Sequence, residues 1–155
     1  MILSKGAAMN MKEIKQLLKP YGLKLTLPRL KVVEIFLSNN TALTCAELLR
    51  LTNEVFDRVS VYRTLKAFEE AGIIHRIVGA TSSPSYALSH LGKPEKEPNH
   101  PQHLHFSCIK CNCVYCLDDQ LVPSVTLPDI YDVHSLSMTV VGICRNCNGK
   151  QDLTL

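Results

Sequence analysis

In the N-terminal half of the chain apolar residues return every three or four positions, as they do along one face of a helix. In the C-terminal half they come in short strand-like runs interrupted by proline and turn residues. Four helices are predicted in the first half. The first covers Met11 to Lys19 and stops near Pro20 and Gly22. The second follows LTLPR, with Thr26 placed to cap, Pro28 suited to the first turn, and Leu30, Val33 and Leu37 on one side. The third opens TCAELL, where Thr44 and Glu47 have capping-box spacing. The fourth runs from Ser60 to Ala71 and ends at Gly72, the usual residue for a left-handed stop. Beyond it, IIHRIVG, the turn-rich TSSP and SYAL to Leu88 predict a two-stranded hairpin. Three helices followed by such a hairpin make a winged helix.

The fourth helix carries the chemistry of this half. Val61, Leu65 and Phe68 fall on its buried side, while Tyr62, Arg63 and Lys66 fall on the exposed side. With Ser60 in its first turn and Arg58 before it, this helix suits entry into a DNA major groove N-terminus first. Arg76 at the hairpin base and Arg29 early in the second helix add phosphate contacts. Winged helices also dock proteins, so the alternative is a protein-interaction module with a solvated helix face. Charge favours DNA. Residues 1–96 carry fourteen Lys/Arg against eight Asp/Glu, whereas residues 97–155 carry three against six.

Three prolines among glycine, charged and polar residues mark SHLGKPEKEPNHPQ, Ser89 to Gln102, as a linker. The expected organisation is a winged-helix DNA-binding domain over 1–88, a hinge over 89–102 and a zinc-stapled dimerisation domain over 103–155. In that last segment HLHFS, VYCL, YDVHS and LSMTVVGI read as strands, and the prolines of QLVPSVTLPD limit any helix there to about a turn. The fold class is therefore α/β. So thin a sheet leaves strand edges that invite a second copy, and a symmetric homodimer is expected.

Seven cysteines fit a closed disulfide framework badly. CIKC (Cys108, Cys111) and CRNC (Cys144, Cys147) are two CxxC pairs separated by thirty-two residues, and together they predict one structural, tetrahedral Zn²⁺ per chain. Iron also suits an S₄ shell. Such a site is closed to substrate, so it staples the fold. His103 and His105 alternate along a strand and share a face; with Cys113, Cys116 and His134, and with His90 and His100 in reach, they form a candidate mixed N/S site for Zn²⁺ or, more weakly, Fe²⁺. The competing reading makes the two histidines plain polar strand residues. Cys45 reads as a small buried hydrophobe. No HExxH, phosphate-binding glycine loop or nucleophile with a base at motif spacing occurs, so neither an enzyme nor a small organic substrate is expected. The absence of a signal peptide or bilayer-length apolar run predicts a cytoplasmic protein without a membrane partner.

In LTLPRLKVVEIF, SVYRTLKAFEEAGIIHR, YAL, HLHFSCIKC and VVGICRNC, taken in order, the chain resembles the ferric uptake regulator family of metal- and peroxide-responsive repressors. The resemblance implies a winged helix, an α/β dimerisation domain and repression when a regulatory metal fixes the two in a DNA-competent arrangement. It also implies DNA contacts by Tyr62 and Arg63 with Arg29 in support, and structural zinc at Cys108, Cys111, Cys144 and Cys147. The regulatory positions depart from the family pattern. Ala42 and Ala87 stand where a histidine and a glutamate are usual, Gln102 and Leu104 interrupt the histidine-rich run, Cys116 replaces a glutamate, and Leu136 replaces a histidine with His134 two residues away. On this count the hinge-region sensing site has lost ligands from the DNA-binding half, and the family's other regulatory site is largely gone. Either His103, His105 and Cys116, with Cys113 or His134, form a softer site that favours zinc over iron, or the site is vestigial and DNA binding is constitutive or governed otherwise.

Overall fold

The computed structural model describes residues 10–77, 83–89, 103–117, 120, 122–123, 125–132 and 136–149. Helix α1 spans Met11–Leu18 and begins with a full capping box. The Asn10 side chain accepts from the Lys12 and Glu13 amides, and Glu13 accepts the Asn10 amide at 2.8 Å. Ile14 and Leu18, one turn apart, are its buried residues. A 3₁₀ turn at Lys19–Tyr21 ends on Gly22 at φ 65, where the sequence places the stop. Helix α2 is Leu27–Ser38 and buries Leu30, Val32, Val33, Ile35, Phe36 and Leu37. Thr26 precedes it but makes no side-chain cap; Pro28 at the start removes a donor that would otherwise need one. A two-residue strand β1, Leu43–Thr44, leads into α3, Cys45–Leu51, capped by the expected Thr44/Glu47 box.

Helix α4 spans Arg58–Glu70 and starts two residues earlier than its apolar spacing predicts, because Asp57 supplies the cap. Asp57 accepts both the Ser60 amide at 2.9 Å and the Ser60 hydroxyl at 2.7 Å. The helix ends in a Schellman arrangement, with Ile73 N–H on Phe68 O at 2.8 Å and Gly72 N–H on Glu69 O at 3.0 Å. Val61, Leu65 and Phe68 pack with α1, α2 and α3 into one continuous core that takes in Ile73, Ile74 and Tyr86.

Strands β2 (Ile74–Ile77) and β3 (Ser85–Leu88) form the expected hairpin, whose tip lies outside the described residues. β1 adds a third strand on the far side of β3, giving the order β1-β3-β2. The second sheet is β4 (Leu104–Cys108), β5 (Val114–Leu117) and β6 (Met138–Gly142) in the order β5-β4-β6, with β4 antiparallel to β5 and parallel to β6. Tyr131 and Asp132 are not in a strand, and the rest of the YDVHS expectation lies outside the described residues. A short helix α5, Arg145–Asn148, lies within and just beyond CRNC.

The two sheets meet. The Ala42 amide donates to the Val114 carbonyl at 2.8 Å, and Ala42, Ile77, Ala87 and Val114 form a small buried apolar cluster against Cys116. Side chains that end at Cβ allow that close approach. β6 is an edge strand with Val140 and Val141 exposed, and beside it Ile143 is also exposed. Among the described residues no helix is long and apolar enough to cross a membrane.

Candidate metal centres and nucleic-acid interface

Parallel pairing of β4 with β6 places Cys108 opposite Gly142, so the two CxxC turns emerge side by side. The first turn is closed by Asn112 N–H on Cys108 O at 2.9 Å, with Asn112 at φ 58. The second is closed by Cys147 N–H on Cys144 O at 3.0 Å. The Sγ atoms of Cys108, Cys111, Cys144 and Cys147 all lie within 4.8 Å of one another. Cys111 and Cys144 are 3.7 Å apart, close to the edge of about 3.8 Å expected for a tetrahedron with Zn–S of about 2.3 Å. Four thiol donors at this spacing fit a closed tetrahedral ion.

Hydrogen bonding prepares the thiols unequally. The Cys144 amide, donating at 3.2 Å, and the Cys111 amide draw Cys108 down to about 6. At Cys144 burial opposes ionisation, but the Cys147 amide and the Tyr115 hydroxyl outweigh it and the thiol is lowered. Cys147 is pushed up to about 12, first by its hydrogen bond to Cys144. The cluster therefore favours the proton leaving Cys108 and staying on Cys147. Metal requires both as thiolates, so loading releases protons and affinity rises with pH. Competition against a chromophoric chelator between about pH 6 and pH 9 should show zinc affinity climbing at least tenfold per unit, one proton's worth. A flat profile contradicts thiolate ligation.

The second group of donors joins the two sheets. On β4, His105 is paired with Cys116 of β5, and His103 lies two residues before it, so the three share one face. The fourth member is His75 on β2, from the N-terminal half. His75 Nε2 stands 3.2 Å from His105 Nε2 and 3.7 Å from Cys116 Sγ, and all four donors lie within 4.8 Å of one another. Tetrahedral zinc with Zn–N of about 2.05 Å and Zn–S of about 2.3 Å needs edges of about 3.3 and about 3.6 Å. His105 is buried and the others are half-buried. The donor set fits a four-coordinate N₃S ion.

His75 is not among the donors expected from the sequence; the N-terminal half places it within reach of the second group. It pairs with Ala87 across β2 and β3, so a donor stands one strand away from a position where the family pattern has a glutamate. That signal is legible only with the hairpin register in hand. Cys113 does not join this group. It lies beside Cys111, and burial followed by its hydrogen bond to Cys111 pushes it up to about 11. His134, His90 and His100 lie outside the described residues.

Of the residues expected to meet DNA, Tyr62, Arg63 and Lys66 are exposed on α4, Tyr62 at 58%. Lys66 is loosely paired with Glu70 at 3.9 Å, a contact of little energetic consequence at such exposure. Ser60 serves the helix cap, so its hydroxyl is already engaged. The Arg29 guanidinium donates to the Lys24 carbonyl at 2.7 Å, and Arg76 is exposed on β2. Arg58 stands exposed in the first turn of α4 and extends the basic surface.

The ferric uptake regulator family model matches residues 20–140. The ferric uptake regulation protein of Bordetella parapertussis is 31% identical over 138 residues, covering 84% of this chain and 93% of the relative. The solved ferric uptake regulator of Vibrio cholerae superposes with a TM-score of 0.56 at 25% identity, covering 84% of this chain and 98% of that one. A zinc uptake regulator solved in complex with zinc and DNA gives a TM-score of 0.62 at 20% identity, covering 90% of this chain and 93% of that one.

Proposed function

This chain belongs to the ferric uptake regulator family, and from that premise we propose that it is a homodimeric repressor whose affinity for a two-fold DNA operator is set by a metal held between its two sheets. The observation that carries this reading is the convergence of His75 from β2 with His103, His105 and Cys116 around β4 and β5. Ligands drawn from both halves make occupancy of the site sensitive to how the halves are arranged, and the arrangement sensitive to occupancy. When bound, the ion supplies a fixed four-coordinate cross-link between the wing and the second sheet. The residues of the chain do the rest. β2 carries both His75 and the exposed Arg76, so whatever fixes the first also places the second near a phosphate.

Residues 1–88 act as the DNA-binding unit, 89–102 as the hinge and 103–155 as the dimerisation unit. The Cys108, Cys111, Cys144 and Cys147 set holds one structural zinc. The exposed β6 edge, with Val140 and Val141 uncovered, is the natural place for a second copy to pair. A dimer presents two α4 helices to two half-sites, each led by Arg58, Tyr62 and Arg63.

One observation favours a second reading. The Ala42–Val114 hydrogen bond and the apolar cluster around it already join the sheets without an ion, which suits a metal-independent regulator. DNA binding itself is tested with promoter fragments from the host and fluorescence anisotropy. Arg63→Ala should weaken binding by about 5- to 150-fold, corresponding to about 1–3 kcal/mol, with the dimer intact by sedimentation. Unchanged affinity removes α4 from the interface.

A further inference from the structure

Cys116 belongs to two features at once. Its Sγ is 3.7 Å from His75 Nε2 in the donor cluster, and it also lines a small cleft formed with Asn39, Thr41, Ala42 and Ala87 and rimmed by exposed Asn40. The cleft has room for about one water-sized molecule. Two of its walls, Ala42 and Ala87, are alanines whose side chains end at Cβ. Cys116 also differs from the three imidazoles around it: as thiolate it is a two-electron reductant, and its oxidation converts a metal donor into a poor one.

We propose that Cys116 is an oxidation site for small peroxides reached through the Ala42–Ala87 cleft, and that a metal held with His75, His103 and His105 protects it. This rests on the metal reading given above. In the reaction a sulfur lone pair attacks one oxygen of hydrogen peroxide, the S–O bond forms and the O–O bond breaks. The second oxygen leaves as water with the thiol proton. Sulfur loses two electrons to peroxide, and the product is Cys116 sulfenic acid. The other six cysteines lie in α3 or around the Cys108–Cys147 cluster, so the product expected is the sulfenic acid rather than a disulfide within the chain. Oxidised protein loses the sulfur donor and with it high affinity for the ion, and added thiol reductant restores both.

The full-length protein with its Cys₄ zinc retained is treated with hydrogen peroxide in the presence of a dimedone-type probe. It is tested with the second site empty and again with one further equivalent of zinc, and labelled cysteines are located by mass spectrometry. Cys116 should label above the other six in the first sample, and zinc should lower that labelling at least tenfold. Chelator competition on the same samples reports whether the second zinc is bound. A bound second zinc with Cys116 unlabelled in the empty protein, or equally labelled in both samples, overturns this inference alone. Failure to bind a second zinc overturns the metal reading and the protection together.

Discussion

Cys144→Ser should abolish stoichiometric zinc and unfold the second sheet while leaving the helical half intact. Cys144 is buried, its amide donates to Cys108 Sγ at 3.2 Å, and its thiol receives the Tyr115 hydroxyl. One substitution thus removes a ligand and disturbs a second. The sheet has little else to hold it. Among its described residues the buried apolar members are Cys108 and Val114, with Cys144 just beyond β6. The extended apolar cluster lies wholly in the helices and the wing. Structural zinc sites supply about 10–16 kcal/mol of apparent binding energy to folding, more than so small a sheet gains from burial. Zinc analysis with limited proteolysis tests this. Cleavage confined to the region beyond residue 103 and zinc loss are expected; a protease-resistant, zinc-loaded variant contradicts the staple.

Thr44 and Glu47 declare the α3 cap because a capping box needs four consecutive residues. Gly72 declares the end of α4 for the same reason. The paired CxxC turns are likewise written in short spacings, and β4–β6 pairing brings them together. What escapes local reading depends on contacts distant in sequence. Strand β1 is two residues long and exists through its pairing with β3. The start of α4 moved to Arg58 because the Asp57 carboxylate takes the cap, which apolar spacing does not register. His75 lies in a predicted strand, and it takes the register opposite Ala87 and the meeting of the two sheets to set it beside His105. Comparing the chain with the family pattern one position at a time records Ala42 and Ala87 as losses and does not register a donor on the neighbouring strand. Cys113, three residues before Cys116 and just ahead of β5, sits beside Cys111 of the other cluster instead.

His75→Ala carries the second large effect. His75 is the N-terminal half's contribution to the donor cluster among the described residues, and without it the three remaining donors all belong to the β4–β5 region. Loss of a partner behind a ligand costs about 10- to 100-fold in metal affinity, and loss of the ligand itself should exceed that. Coupling should suffer still more. An ion bound by His103, His105 and Cys116 alone no longer ties β2 to the second sheet, so even saturating metal should leave DNA affinity at its metal-free level. Zinc bound by the four cysteines should be unchanged, because His75 belongs to a donor group separate from Cys108, Cys111, Cys144 and Cys147. Cobalt gives a direct view of the site when zinc is kept in the four-cysteine cluster. Wild type should show a four-coordinate spectrum with a thiolate band at stoichiometric cobalt, and His75→Ala should need much more cobalt and give an altered spectrum.

The measurement closest to the regulatory claim is operator affinity by fluorescence anisotropy. The Cys₄ zinc stays in place while Zn²⁺, oxygen-free Fe²⁺ or Mn²⁺ is titrated into wild-type and His75→Ala protein side by side. A rise of at least tenfold with one metal, about 1.4 kcal/mol of coupling, seen in the wild type and absent in His75→Ala, is the expected result. Tight binding that ignores every added metal in both proteins contradicts metal-dependent regulation and leaves the Ala42–Val114 contact as the element that fixes the two halves.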